Sequence, residues 1–348
     1  MTPTAQEHAA HDQTERGQSR RDWPRIQLHI VTGKGGTGKT TVAAALALAL
    51  ASRGKNVLLC EVEGRQGIAQ IFDVPPLPYE ERLIAQGPDD GGDVYALAID
   101  AESAMLEYIS LYYRMGGRTA RVLDRFGVLD FATTIAPGLR DVLLTGKVFE
   151  AVERNSRNKG ARVYDAVVLD APPTGRISQF LNVNGEFGDL AKVGMVRGQT
   201  ERVMGLLKSR RTAVHLVTVL EDMPVQETAD GITELRSHGL PVGGVVVNMT
   251  RPDELSPSAR DAALSGTLSR DRIEKDLSGV GIAVTPALVD GLVHEAQDHA
   301  ERRQLEDTQR TRIDQLDVPT YTLGQLAEGI DLGSLYELAA DLREQGMA

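Results

Sequence analysis

The chain has 348 residues, 41% of them apolar and 25% charged, with a net charge of −11; that length suits one large α/β domain with an insertion, or two domains. So acidic a chain is poorly matched to nucleic acid or to an anionic membrane, because both are polyanions. A lone cysteine, Cys60, excludes an intrachain disulfide and any cysteine-cluster zinc site.

In chain order, residues 1–24 are polar, lack the apolar stretch of a signal peptide and read as a disordered tail. No apolar run reaches the roughly 18–20 residues that a membrane-spanning helix needs, the nearest being Val42 to Ala51. A cytoplasmic, reducing location is the expectation. Ile26–Thr32, Asn56–Val62, Asp93–Asp100, Asp165–Ala171, Ala213–Leu220 and Gly243–Met249 read as strands. Several are continuous β-branched or apolar runs, the pattern of strands covered on both faces. Cys60 lies inside one of them and is expected to be buried. Helices are predicted over Lys39–Arg53, Gln226–His238, Pro286–Leu316 and the closing stretch from Leu332 to Glu344, with Val318–Leu323 a late strand or a loop. The alternation predicts a doubly wound, mostly parallel α/β sheet within residues 25–348. Two segments, about 101–158 and 184–211, carry helical patterns without a convincing strand, and read as one helical subdomain beside the sheet. There is no internal repeat.

The chemistry concentrates in Gly33-Lys34-Gly35-Gly36-Thr37-Gly38-Lys39-Thr40. It follows an apolar strand and opens a helix, the context in which G-x-x-x-x-G-K-[ST] binds phosphate. The glycines let backbone N–H groups turn toward an anion, and the helix N-terminus adds partial positive charge. Lys39 is expected to bridge β- and γ-phosphate oxygens, Thr40 to offer its hydroxyl to Mg²⁺, and Thr41 to donate to the α-phosphate. Asp170 closes an apolar strand, where a carboxylate holds Mg²⁺ through its water shell. Pro172-Pro173-Thr174-Gly175 follows, and Gly175 is expected to turn its N–H toward the γ-phosphate. Glu61 and Glu63 end the second strand two residues apart, on one side of it. Glu63 is read as orienting the attacking water and Glu61 as touching the metal's water shell; solvated strand ends are the competing reading.

The loop holds a second lysine, Lys34. In this it resembles the deviant phosphate loop of the SIMIBI class of P-loop ATPases, and within that class the arsenite-pump and tail-anchored-protein-targeting ATPase family, most of all its actinobacterial type. Ala136–Leu144, Asp170–Leu181 and Val245–Pro252 resemble that family's Pro-Gly-Ile-Asp-Glu-Ala element, its Asp-Thr-Ala-Pro-Thr-Gly-His switch and its Val-Val-Asn segment. The resemblance implies an ATPase that binds ATP, ADP and Mg²⁺, and works as a dimer with nucleotide at the interface. It implies that Asn248 reads adenine and that Lys34 reaches the partner's phosphates. A cation supplied in trans acts like an arginine finger, a device worth roughly 10³–10⁵ in rate. Because members of this type often occur as two paralogous chains, homodimer and heterodimer are both open.

The chain also departs from the family. Glu63-Gly64-Arg65-Gln66 stands where Asp-Pro-Ala-His is usual, Arg176 where the second switch has histidine, and Arg140-Asp141 where Asp-Glu is usual. A carboxylate moved by one methylene predicts slow hydrolysis, or hydrolysis that needs a partner. The zinc-clasp and metalloid-binding cysteines are missing, so a metalloid-stimulated pump is not expected. Met105, Tyr108, Ile109 and Tyr112 share a helical face, with Met195 and Met204 in the second helical segment. They suit either an apolar protein client or ordinary core. The expected function is an ATP-driven dimeric switch that binds or delivers a protein; a weakly hydrolysing regulatory scaffold is the alternative. The acidic C-terminal helix, with Glu337, Asp341 and Glu344, argues against a membrane-surface oscillator.

Overall fold

Three apolar runs meet in the middle of one sheet. β1 (Leu28–Gly33) lies between β5 (Ala166–Asp170) and β6 (Thr212–Thr218), parallel to both. β2 (Val57–Glu61) and β4 (Asp93–Ala98) extend the sheet on the β5 side, and β3 (Arg82–Gln86) pairs antiparallel with β4 at that edge. β7 (Val242–Thr250) and β8 (Thr320–Gly324) complete the other side in parallel. The order β3-β4-β2-β5-β1-β6-β7-β8 gives the expected mostly parallel sheet. Every residue of β1, β2, β5 and β6 is buried, which explains why these strands show no polar alternation. The computed structural model describes residues 25–113, 137–155, 160–181 and 194–348, apart from positions 63, 65, 89, 90 and 328. The expected tail, residues 1–24, lies outside them.

On one face the sheet carries α1 (Lys39–Ala51) and α11 (Leu332–Glu344). Alanine is the best helix former, and its small side chain lets a helix approach a sheet closely. Consequently all residues of α1 from Thr41 to Ala51 are buried, between the sheet and Leu335, Leu338, Ala339 and Leu342 of α11. The helix stops at Ser52–Gly54, where Gly54 adopts φ +80° and donates to the Ala51 carbonyl. α11 starts on a reciprocal Asp331–Ser334 capping box and runs over the residues expected. Glu337, Asp341 and Glu344 therefore belong to a helix whose apolar face is covered by the domain itself.

The opposite face carries α3 (Ala101–Tyr113), α4 (Pro137–Glu153), α5 (Thr174–Leu181), α6 (Gly194–Leu207) and α7 (Asp222–Ser237). Their core residues, among them Val148, Phe180, Val203 and Leu235, join Leu28, Ile30 and Leu169 of the sheet in one cluster. Met204 is buried in that cluster and Met105 packs against it, so these two methionines serve the core. The side chains of Tyr108, Ile109, Tyr112 and Met195 lie outside the described residues. Between β7 and β8 come three helices. α8 (Pro257–Leu264) and α9 (Arg270–Gly279) were not expected; each is capped by a serine, Ser256 or Ser269, accepting from the third residue on. α10 (Pro286–Asp314) has Thr285 as its cap and Pro286 in its first turn.

Other differences from the sequence reading have simple causes. β3 was not expected: it is a short, half-exposed edge strand broken by a bulge, so it has no long apolar run. The stretch left open at Val318–Leu323 is a strand, β8, because it pairs with Val245–Val247 of β7. Among the described residues no helix is long and apolar enough to cross a membrane.

Candidate nucleotide site

The phosphate loop leaves β1 at a point where only glycine fits. A Cβ on Gly33 would lie 2.2 Å from the Val217 carbonyl oxygen of β6. Gly36 and Gly38 adopt φ +87° and +84°, turning the backbone back toward α1. Beside Gly35 and Gly36 the space is open. The loop is closed from within. Thr37 donates its hydroxyl to the Lys34 carbonyl at 2.8 Å, and Lys39 Nζ donates to the same oxygen at 3.4 Å. Thr41 is buried one residue into α1 behind Thr40.

Asn248 supports the loop from behind. It is buried near the end of β7, and its Nδ2 donates to the Thr37 carbonyl at 3.0 Å. The next residue, Met249, has φ +57°, a strained conformation for a non-glycine, and the β7–β8 pairing slips between Val247 and Thr250. This bulge turns the Asn248 amide inward. A Cβ on Gly38 would lie 2.4 Å from Asn248 Nδ2, so the glycine and the asparagine fit each other. Beside them, a cleft of about 590 Å³ opens at the ends of β6 and β7, lined by Leu220, Met249, Arg251, Leu305 and Gln325 among others. Its lining mixes apolar side chains with Glu221, Asp222, Arg302 and Glu306, a combination that could take a heterocyclic base with polar edges.

The acidic residues gather on the other side of Thr40. Thr40 donates its hydroxyl to Asp170 Oδ2 at 2.7 Å. Glu61 and Asp170 are paired in the β2–β5 ladder, so their side chains leave the same face of the sheet. Both are buried. Glu61 Oε2 accepts from the Ile68 N–H at the start of α2 (Gly67–Ile71), at 3.1 Å, while its Oε1 is buried with no hydrogen-bond partner among the described residues. Gly67 sits between Thr40 and Glu61. Two buried carboxylates side by side, beside a hydroxyl, favour a hard cation. Among the described residues no group of three or more histidines, cysteines or acids would cage a metal alone. That fits Mg²⁺, which is held by one or two protein oxygens together with phosphate and water. Glu63 lies outside the described residues.

The Pro172-Pro173 loop after β5 is tied to β1. Thr32 donates its hydroxyl to the Pro172 carbonyl at 2.6 Å, and the Ala171 N–H donates to the Val31 carbonyl at 2.9 Å. Gly175 lies exposed in the first turn of α5, with open space around it. Lys34 stands at the mouth, where Nζ is 3.0 Å from Glu227 Oε1 of α7. Cys60, fully buried in β2, has a thiol pushed up to about 12 by burial, which removes it from nucleophilic chemistry.

The profile of the ArsA-type family, described as anion-transporting ATPases, matches residues 26–208, just over half the chain. The chain belongs to this family. The ATPase BagA of Mycobacterium tuberculosis is 51% identical over 338 residues, covering 96% of this chain and 98% of BagA. The arsenical pump-driving ATPase of Acidiphilium multivorum is 25% identical over 327 residues, which is 88% of this chain and 53% of that protein. That of Escherichia coli is 28% identical over 275 residues, covering 72% of this chain and 44% of the pump protein. As an ArsA-type protein the chain is an ATP-binding ATPase of the SIMIBI class. The expected loop residues, Asp170, Glu61 and Asn248 surround one site. Glu227, the Met249 strain and the cleft beside Asn248 carry no signal in the sequence. Glu227 has no motif to mark it, since its partners come from distant parts of the chain.

Proposed function

We propose that this ArsA-type chain is an ATP-hydrolysing switch that works as a dimer, and that its nucleotide state governs binding or delivery of a protein client. The observation that carries the reading is the pair of lysines on one loop. Lys39 folds back over its own loop, while the Lys34 ammonium lies part-exposed beside Glu227 of α7. Lys39 and the loop amides hold the β- and γ-phosphates, and Thr41 donates to the α-phosphate. Thr40, Asp170 and Glu61 would hold Mg²⁺, which would neutralise phosphate charge when bound. Glu63 orients water, and its extra methylene relative to the family aspartate keeps hydrolysis slow without a partner. Asn248 Oδ1 accepts from the adenine amine, while Nδ2 keeps the loop in shape. Lys34 completes the partner's site, so that hydrolysis follows closure. The partner is a second copy or a paralogous chain. Cys60 is the only cysteine and is buried; this argues against metalloid stimulation.

Single-turnover ATP hydrolysis, by the chain alone and with a paralogous chain, tests the reading. We expect a rate well above that of Lys39→Ala in at least one condition. A rate equal to that control in both would defeat the enzyme reading and leave a nucleotide-stabilised scaffold.

A further inference from the structure

Lys34 does not stand free at the mouth. Its ammonium meets Glu227 Oε1 at 3.0 Å, while Glu227 Oε2 accepts the Thr174 hydroxyl at 3.4 Å. One carboxylate therefore joins the second lysine of the phosphate loop to the first residue of α5, which directly follows the Pro172-Pro173 switch loop. The connection between α7 and α5 is built along both helices. One turn after Glu227, Gly231 lies beside Thr174, whose methyl would be 3.4 Å from a Cβ built there, an ordinary packing distance. Two turns after Glu227, Glu234 accepts the Ser178 hydroxyl. Beside it, α7 also bonds α10, where Arg312 donates to Asp222 at 2.7 Å and to Gln226 at 2.7 Å. Glu227 thus holds the Lys34 ammonium with one oxygen and the start of α5 with the other.

We propose that Glu227 is a latch for Lys34, holding it to its own subunit until the switch loop, acting through Thr174, loosens the contact. Glu227 is a positioning residue in this scheme and touches no reacting atom. The scheme rests on the reading that Lys34 acts in trans. The physical chemistry suits a latch. The lysine and glutamate side chains are 31% and 36% exposed, so the ion pair is weak enough to open. A phosphate of the partner's nucleotide, with more charge than a carboxylate, competes well for the ammonium.

The test reads the latch without requiring a dimer. Lys34 is labelled with a limiting amine-acylating reagent in the ADP-bound chain and quantified by mass spectrometry. Glu227→Gln keeps size and the acceptor for Thr174 but removes the charge. We expect it to raise Lys34 labelling about two- to fivefold, the range set by a half-exposed pair, with labelling of other lysines unchanged. A non-hydrolysable ATP analogue should raise wild-type labelling in the monomer, and Thr174→Val should abolish that nucleotide response. Equal labelling of Glu227→Gln and wild type overturns the latch. Sedimentation with the analogue, alone and with a paralogous chain, tests the trans reading separately. Lys34→Ala losing association while Glu227→Gln labels like wild type would sink the latch and spare the trans role. Lys34→Ala leaving both association and hydrolysis unchanged would sink both.

Discussion

Lys39 and Lys34 leave the same loop, but the structure around each is built to a different standard. On the Lys39 side both ends of the loop are fixed by close packing. Gly33 presses against β6, Gly38 fits against Asn248, and α1 behind the loop is buried from Thr41 to Ala51. On the Lys34 side the contacts are single and half exposed: one ion pair to Glu227 and one long bond from Thr174. The difference separates two tasks. Holding a polyphosphate requires donors that are already in place, because reorganising them would cost binding energy. Responding to whether a phosphate is present requires contacts that open and close at little cost.

The largest effect should come from damaging the rigid side at its tightest point. Gly33→Ala puts a methyl 2.2 Å from a backbone oxygen of β6, so the sheet itself must move. Overpacking of this kind costs about 3 kcal/mol. We expect a clear fall in melting temperature together with loss of nucleotide binding; a stable Gly33→Ala protein that still binds ATP would show that the loop is not over-determined. Lys39→Ala removes charge and leaves the frame. A charge-assisted contact contributes about 1.5–3 kcal/mol, and Lys39 is assigned contacts to two phosphates. Isothermal titration should therefore show ATP affinity reduced by about a hundredfold or more, with melting temperature of the free protein nearly unchanged. Wild-type affinity would refute the phosphate assignment.

Asn248→Ala is a smaller probe of the same side. It deletes the bond to the Thr37 carbonyl and leaves that oxygen without its donor, at a cost of about 1–3 kcal/mol. Both ATP and GTP should bind more weakly, and the preference for ATP should shrink because the adenine contact goes too. Equal weakening with the preference intact would leave Asn248 as a loop support and not a base reader.

What the sequence revealed follows the same division. Gly33–Thr40 is legible because its chemistry is local: a strand, a glycine turn and a helix start lie in one run. The buried strands and α11 are legible for the same reason, as unbroken apolar runs or leucines at helical spacing. Glu227 is not, since an acidic residue on an amphipathic helix looks solvated until the fold brings Lys34 and Thr174 beside it. Asn248 was identified only through family resemblance; its contact with Thr37 depends on the bulge at Met249, which no composition rule signals. α8 and α9 were missed despite their serine caps, because α9 buries no residue and so has no apolar stripe.

The smallest expected effect concerns the strand under the rigid side. His29 of β1 and His215 of β6 are fully buried, with Nδ1 of the first 3.1 Å from Nε2 of the second and their rings stacked. Burial first, then the neighbouring His215 and Lys55, hold the His29 imidazole well below the usual histidine range. The folded protein therefore resists a proton that the unfolded chain takes up near pH 6.5. The sign follows: the unfolded state binds more protons, so stability falls as pH drops below about 6.5 and is complete above it. One such group removes up to about 1.4 kcal/mol per pH unit below that point. Melting temperature should decline steadily from pH 6.5 to 5.5, a window in which exposed carboxylates remain ionised. Replacing both rings, as in His29→Asn with His215→Asn, should flatten that decline even if the variant is less stable overall. An unchanged slope in the double variant would place the acid sensitivity elsewhere, and would leave the strand beneath Lys39 rigid across the whole range.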